Sequence, residues 1–243
     1  MPQPGGPSPS LLAPAYDLVV IAASLGGRET LARVLAALPP DFPTPVLVAQ
    51  HLAPNYPSLY VDLLARTLGP VGPRVAWAAD GLRPRPGHVY VAPADRHLCV
   101  AATPPTAQAD DDPAGAPPVA CVLRPGPRVN FVRPAADLLF ASAAAACGAR
   151  VLAAVLTGRL RDGAAGAAAV RAAGGVVFAQ APATCRAPGM PEAAIARGAA
   201  HFVLPPDAIG HALTALAAVP GAPALFGVAA AGAVTRRGAQ RPV

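Results

Sequence analysis

Three residues that lie far apart in the chain, Ser24, His51 and Asp162, each follow a strongly apolar run. The carboxyl ends of the strands in an open α/β sheet meet along one edge, so we expect the three side chains to lie together there. A hydroxyl, an imidazole and a carboxylate in contact form a catalytic triad. In such a triad the imidazole takes the proton of the hydroxyl and the carboxylate holds the imidazole in one tautomer.

Ser24 stands at a predicted strand-to-helix turn and is followed by Leu25, Gly26 and Gly27. Three interpretations are open at this point. The serine can cap the helix, or the glycine-rich turn can hold a phosphate at the helix N-terminus. In the third, Ser24 is a nucleophile and the same N–H groups stabilise an oxyanion. The chain has no G-x-G-x-x-G segment and no Gly-Lys pair after this strand, which disfavours the phosphate loop.

His51 and Asp162 also have structural alternatives. A lone histidine after a strand is often structural, but a buried strand would bring His51 to the same sheet edge as Ser24, within reach of a nucleophile. Asp162 can be the N-cap of the helix that follows it. In a triad it would orient His51, and we expect the neighbouring Arg159 and Arg161 to favour its ionised form.

The elements that must position these residues alternate along the chain. This alternation predicts an α/β fold with a doubly wound, mostly parallel sheet, helices on both faces and a β-hairpin region. The predicted strands cover 17–23, 45–50, 74–79, 88–92, 98–101, 119–123, 151–156, 175–179 and 202–204, and the later helices cover 136–147, 163–173, 191–197 and 206–218. Two earlier helices are predicted, one through 31–38 and one from about residue 59 to the glycine at 69.

The middle of the chain differs from this pattern. Its short strands are separated by turns, so we expect hairpins or a mixed sheet between residues 74 and 123. Residues 103–118 are rich in Pro, Ala and Asp and predict a surface loop or disordered insertion between two hairpin strands. We expect one domain over 17–219, a flexible leader over 1–16 and a weakly ordered tail over 220–243.

Composition narrows the class of protein. The formal net charge is +6 and the sequence pI about 9.8, but the arginines are scattered and there is no lysine. Without an interleaved basic and aromatic stretch, nucleic-acid binding is not expected. Four cysteines without a C-x-x-C pair predict reduced thiols and no zinc site. No secretory signal and no long apolar run are found, so we expect a cytoplasmic protein without direct membrane insertion.

Six segments of the chain carry motifs that occur in a fixed order: 24–27, 50–54, 87–97, 129–140, 156–166 and 189–191. They match the patterns S-T-G-G, Q-H-M-P, G-H-x-x-x-A-P-x-D-x-H, V-N-x-x-R-P-x-x-D-x-L-F, L-T-G-M-G-x-D-G-A-x-G and G-M-P. In these motifs the chain resembles the catalytic domain of CheB-type chemotaxis protein-glutamate methylesterases. The resemblance runs from about residue 17 to residue 218.

The resemblance implies an enzyme and assigns the roles. Ser24 would be the nucleophile, His51 the base and Asp162 the carboxylate that orients it. The implied reaction is hydrolysis of glutamate methyl esters on the cytoplasmic helices of methylated chemoreceptors, with glutamine deamidation as an accompanying activity. The implied enzyme needs no metal and no organic cofactor.

Four positions depart from the family patterns. Leu25 replaces the usual Thr after the nucleophile, Arg159 and Leu160 replace Met-Gly before the carboxylate, and Val132 replaces a His. A glycine before the carboxylate can serve a positive φ, which Leu tolerates poorly. These departures keep open the alternative of a catalytically weak binding or regulatory module. A separate alternative keeps the chemistry but changes the substrate, as an esterase that acts on a different methyl ester. A nucleotide-binding protein is a more distant alternative.

Two-domain members of the family also carry an N-terminal receiver domain that accepts a phosphoryl group. In this sequence about sixteen residues precede the first predicted catalytic strand. We therefore expect a catalytic domain without a receiver domain, governed by something other than phosphorylation within this chain.

Overall fold

A computed structural model describes residues 15–53, 59–103 and 117–218 of the chain. Most of the predicted leader, the predicted tail and most of the predicted 103–118 loop lie outside these described residues. Tyr16 falls within the predicted leader but is only 1% exposed. Its carbonyl accepts a hydrogen bond from Thr44 Oγ1 at 3.2 Å, so the packed domain begins before residue 17.

Seven of the nine strands in the described residues form one parallel sheet in the order β3–β4–β2–β1–β7–β8–β9. Its central strands are apolar and buried on both faces, as expected where helices cover both sides of a parallel sheet. The strands are β1 Leu18–Ala23, β2 Val46–Gln50, β3 Arg74–Trp77, β4 His88–Val91, β5 His97–Ala102, β6 Val119–Arg124, β7 Val151–Val155, β8 Val176–Gln180 and β9 Phe202–Leu204.

The predicted doubly wound sheet is confirmed, with one difference in the middle of the chain. Strands β3 and β4 pair in parallel inside the main sheet and do not form a hairpin. The connection between them contains Pro84 and Pro86 and no helix. It therefore lacks the helical pattern that usually reveals a parallel crossover. The separate antiparallel pair of β5 and β6 is the predicted hairpin.

Helices cover both faces of the sheet, and each face has its own apolar core. Residues of α1, α2 and α6 belong to the cluster on one face, and residues of α3, α4 and α5 belong to the cluster on the other. Burying both faces explains why the strands carry few polar residues. The helices are α1 Gly27–Ala36, α2 Tyr60–Leu68, α3 Ala136–Cys147, α4 Ala164–Ala172, α5 Gly189–Ala196 and α6 Pro206–Ala218.

The strand register places the candidate residues at one edge. Ala23 on β1 is paired with Gln50 on β2, so the next residues in each strand direction are Ser24 and His51. The His51 N–H donates to Ala23 O at 3.1 Å, and the Ser24 N–H donates to Thr157 O, beyond β7, at 2.9 Å. The three loops that leave β1, β2 and β7 are therefore held side by side.

Candidate active site

The turn that carries Ser24 is held by its backbone. The Ser24 carbonyl accepts the Gly27 N–H at 2.8 Å. Gly26 has a φ of +80°, a left-handed conformation that glycine adopts without steric cost. Helix α1 begins at Gly27, so its N-terminus lies immediately beyond the serine. The hydroxyl is thus next to the positive end of a helix dipole.

Gln50 links the serine turn to the histidine loop. Its Nε2 donates to Ser24 O at 3.0 Å and to His51 O at 3.1 Å, while Tyr60 Oη donates to its Oε1 at 3.2 Å. A side chain at Gly27 would place its Cβ 2.2 Å from that Oε1, so the close approach requires glycine. Sequence reasoning does not assign Gln50 a role, since its partners are set by the packing of two loops.

His51 and Asp162, 111 residues apart in sequence, are in direct contact. His51 Nε2 lies 2.8 Å from Asp162 Oδ2, and the two side chains are 13% and 1% exposed. A carboxylate that accepts the Nε2 proton leaves Nδ1 as the unprotonated nitrogen of a neutral ring. The structure therefore brings together two of the three predicted residues by hydrogen bond and places Ser24 on the adjacent strand end. Among the described residues, Ser24 Oγ makes no hydrogen bond to the ring.

Asp162 is surrounded by donors. The Ala136 N–H donates to its Oδ2 at 2.6 Å, while the Asp137 N–H and Asn130 Nδ2 donate to its Oδ1 at 3.3 and 3.1 Å. Burial raises the pKa of Asp162. The hydrogen bonds from His51, the Ala136 backbone and Asn130, together with the charge of His51, outweigh burial and lower its pKa below the usual value. The carboxylate is therefore held in its ionised form.

One structural expectation about Asp162 is wrong. It accepts N–H groups from the first turn of α3, not from the helix that follows it, and α4 starts from Gly163 without a side-chain cap. Arg159 and Arg161 are exposed, and among the described residues neither hydrogen-bonds to the carboxylate. The effect of their charge on Asp162 stays a prediction, while the N-terminus of α3 supplies backbone donors that stabilise the carboxylate.

Asn130 joins Asp162 to a second carboxylate. Its Nδ2 also donates to Asp137 Oδ2 at 2.7 Å, and Asp137 Oδ1 accepts the Gly166 N–H at 2.7 Å. The amide thus ties together the loop before α3, the start of α3 and the start of α4. Asn130 lies in one of the motifs of the sequence analysis, but only the fold reveals its contact with Asp162.

The loop after β7 packs against the serine turn. Thr157 Oγ1 donates to Leu25 O at 3.0 Å, and a Cβ on Gly158 would lie 2.7 Å from Ser24 Cβ. Further along this loop Leu160 has a φ of +65° and is 59% exposed. The expectation that this position has a positive φ is confirmed. The bulky Leu160 adopts that conformation on the surface.

His97 has a structural environment, and the cysteines are not paired. His97 is buried, its Nδ1 accepts the Ala135 N–H at 3.2 Å, and its Nε2 lies 2.9 Å from Pro127 O. All four thiols are free, and burial raises the pKa of Cys121 and of Cys147 to about 12. Among the residues described, no group of three or more His, Cys, Asp or Glu side chains is placed to hold a metal ion.

The fold and the site define a class before any relative is considered. A doubly wound sheet with a serine, a histidine and a buried carboxylate at one edge has the components of a serine hydrolase. The family model described as CheB methylesterase matches residues 19–213. The chain belongs to the CheB methylesterase family.

Individual relatives agree with this assignment. The chain is 40% identical over 216 residues to protein-glutamate methylesterase/protein-glutamine glutaminase 2 of Caulobacter vibrioides, covering 86% of this chain and 58% of that protein. It is 44% identical over 200 residues to enzyme 3 of the same name from Anaeromyxobacter dehalogenans, covering 82% of this chain and 54% of that protein. The chain thus spans little more than half the length of these relatives.

A solved structure covers the same region. The crystal structure of the Thermotoga maritima CheB methylesterase catalytic domain matches with a TM-score of 0.70 and 34% sequence identity. The match covers 82% of this chain and 97% of that one. The two chains therefore share the fold of a catalytic domain over nearly its whole extent. In the parts of the chain that the structure describes, no helix is long and apolar enough to cross a membrane.

Proposed function

We propose that this chain is a serine esterase that hydrolyses the methyl esters of glutamate side chains. The observation that carries the proposal is the 2.8 Å contact between His51 Nε2 and the buried Asp162 carboxylate, beside the strand end that bears Ser24. Its membership of a methylesterase family supports the same chemistry. We propose Ser24 as the nucleophile, His51 as the general base and Asp162 as the residue that orients the base.

The first half of the reaction forms an acyl-enzyme. Ser24 Oγ attacks the ester carbonyl carbon while His51 Nδ1 takes the hydroxyl proton, and Asp162 stabilises the resulting imidazolium. The tetrahedral intermediate collapses, the bond to the methoxy oxygen breaks, and His51 returns the proton so that methanol leaves. In the second half His51 deprotonates water, which attacks the acyl carbon and releases the glutamate carboxylate and Ser24.

The oxyanion of the tetrahedral intermediate needs donors close to Ser24. We propose that backbone N–H groups of the turn from Leu25 to Gly26 supply them, since they lie at the N-terminus of α1. The helix dipole favours the developing negative charge at that position. Replacement of the family's Thr by Leu25 removes a side-chain hydroxyl but leaves the backbone donor.

The substrate we propose is a methylated glutamate on the cytoplasmic helices of a chemoreceptor, and the setting is the cytoplasm. The names of the relatives support this substrate class, and they also support a second activity. Deamidation of a glutamine side chain passes through the same acyl-enzyme, with ammonia as the leaving group in place of methanol.

Methanol release from methyl-labelled chemoreceptor membranes of the organism that encodes this chain tests the proposal. The wild-type protein should release labelled methanol. Ser24→Ala should lower the rate by roughly 10³-fold or more, because a residue that forms the covalent intermediate is lost. The same substitution removes one partly exposed hydroxyl and should leave the unfolding midpoint unchanged. Equal methanol release by the two proteins would exclude Ser24 as the nucleophile, and no release by folded wild type would exclude the substrate.

A further inference from the structure

An exposed aromatic residue lies on a tight turn beside the histidine. Val129 and Val132 exchange two backbone hydrogen bonds of 3.1 and 3.0 Å, with Asn130 and Phe131 between them. Both central residues have positive φ, +50° for Asn130 and +68° for Phe131. Turns of this kind favour glycine at the second central position. Here a phenylalanine takes it, with 80% of its surface exposed.

Leu160 repeats this combination on the opposite loop. It too is a large apolar residue with a positive φ, and it too is exposed. Bulky residues rarely adopt the left-handed region, and such outliers concentrate at functional sites. Four non-glycine residues in the described chain have positive φ, and Asn130, Phe131 and Leu160 line a single cavity of about 330 Å³ together with Arg161.

Phe131 connects this cavity to the site. It also lines a cleft of about 140 Å³ with His51 and Arg128, and a third cavity of about 400 Å³ with Arg128 and Arg161. A continuous surface therefore runs from the imidazole past the phenylalanine to Leu160. A segment bound along it would hold a side chain near His51.

The charge of this surface is positive. Arg128 and Arg161 are exposed, and within the described ranges neither makes an ion pair. The carboxylate in the same cleft, Asp95, is paired with Arg133, and the nearby charge of Arg128 also helps to lower its pKa. Two exposed guanidinium groups beside two exposed apolar side chains match a partner that presents carboxylates next to an apolar stripe.

We propose that Arg128, Phe131, Leu160 and Arg161, which we call the rim, form a docking surface for an acidic amphipathic α-helix that carries the esterified glutamate. The inference rests on the proposed function, because that reaction leaves glutamates as products and so makes the substrate segment acidic. Phe131 and Leu160 contact the apolar stripe of the helix, and the two arginines contact carboxylates three or four residues from the ester.

Binding and turnover together test the rim. The probe is the soluble cytoplasmic fragment of a methylated chemoreceptor, titrated by calorimetry into Ser24→Ala so that the ester stays intact. Phe131→Ala in that background should weaken binding by about tenfold or more, since an exposed aromatic anchor is lost. Arg128→Gln with Arg161→Gln should weaken binding several-fold and reduce its dependence on salt.

Matched controls lie at the other edge of the sheet. Val71 is 77% exposed just before β3, and Arg74 is the exposed first residue of that strand. Val71→Ala and Arg74→Gln should bind the fragment as the parent does. With Ser24 restored, Phe131→Ala should raise KM for the fragment. The rise in KM should be several-fold smaller for N-acetylglutamate γ-methyl ester amide, because this ester is too short to span the rim.

The outcomes separate the rim from the reaction. The proposed role of the rim is overturned if fragment binding is undetectable at about millimolar concentration, or if folded rim variants bind the fragment as the parent does. An equal rise in KM for the fragment and for the small ester would also overturn the proposed role of the rim. If the wild type releases no methanol but the rim variants weaken binding, the rim stands and the proposed function fails.

Discussion

Two turns leave the same edge of the sheet and deliver the two ends of the candidate site, yet their backbones are built differently. The turn after β1 carries Ser24 and places glycine at its left-handed position, Gly26. The turn after β7 carries Asp162 and places Leu160, in addition to Gly163, in the left-handed region. The first turn is closely packed, since a Cβ on Gly26 would lie 2.7 Å from the Cβ of Arg186. The second exposes its left-handed side chain to solvent.

This difference separates what the chemistry needs from what the partner needs. Around Ser24 other chain segments approach the backbone closely, so glycine is required there. At Leu160 a glycine would relieve a left-handed strain of roughly 1–2 kcal/mol. The leucine instead places an apolar side chain on the surface beside the site. This is the role that we propose for it in the rim.

The largest expected effect lies at the carboxylate of the second turn. Asp162→Asn keeps the shape of the side chain but removes the charge and offers an N–H₂ group to His51. We expect kcat for methanol release to fall by about 10³–10⁴-fold, because His51 is then held in the wrong tautomer. A kcat within about tenfold of wild type would contradict the role of Asp162 as the residue that orients the base.

The same variant should change the pH dependence of stability. The pKa of Asp162 lies below its usual value of 3.8 in the folded protein, so its ionised form contributes stability above that value. This contribution is lost as the pH falls through the lower folded pKa. We therefore expect the difference in unfolding free energy between wild type and Asp162→Asn to shrink between about pH 5 and pH 2. Denaturant titrations at several pH values measure it, and a difference that is constant with pH would contradict the assignment.

A methyl group in the first turn should have the next largest effect. Gly27→Ala places a Cβ 2.2 Å from Gln50 Oε1 and 2.9 Å from Ala23 Cβ. Relieving these contacts displaces the amide that holds both Ser24 and His51. We expect a destabilisation of about 1–3 kcal/mol and a fall in kcat of up to about 10²-fold.

Gly126→Ala is the matched control for that substitution. A Cβ there finds His97 Cδ2 at 3.7 Å, an ordinary contact, so both stability and kcat should stay near wild type. Equal behaviour of the two alanine variants would show that the close packing of the first turn does not position the site.

The smallest effect is expected where the second turn is strained. Leu160→Gly should raise the unfolding free energy by about 1 kcal/mol, or the unfolding midpoint by roughly 2–4 °C, since little apolar surface is buried and the left-handed strain is lost. Asparagine tolerates the left-handed conformation better than leucine does. The unfolding free energy of Leu160→Asn should therefore lie between those of wild type and Leu160→Gly. A lower melting temperature for Leu160→Gly would mean that the leucine stabilises the loop.

Much of the fold is predictable because its strands are strongly apolar. The runs that form β1, β2 and β7 are apolar and bounded by turn residues, and Ala136–Cys147 and Pro206–Ala218 are helices with the predicted bounds. The pairing of β3 with β4 is not predictable, because a parallel crossover without a helix has no periodic signal. The burial of Tyr16 is not predictable either, because a single buried residue before a strand has no pattern of its own.

The sequence indicates the candidate residues of the site but not the residues that support them. Ser24, His51 and Asp162 follow strands, and that position alone draws attention to them. Gln50 and Asn130 act through partners that the folded loops bring to them, and no local spacing reports such contacts. Proximity in sequence draws attention to the arginines next to Asp162, but the groups that hydrogen-bond to the carboxylate come from α3 and the loop before it.

The most direct test of the central claim, that His51 and Asp162 activate Ser24, is covalent labelling with a fluorophosphonate followed by peptide mass analysis. We predict rapid labelling of the wild-type protein at Ser24, much slower labelling in Asp162→Asn, and none at that peptide in Ser24→Ala. Labelling of Ser24 at the same rate in wild type and Asp162→Asn, or no labelling of the folded wild type at Ser24, would contradict that claim.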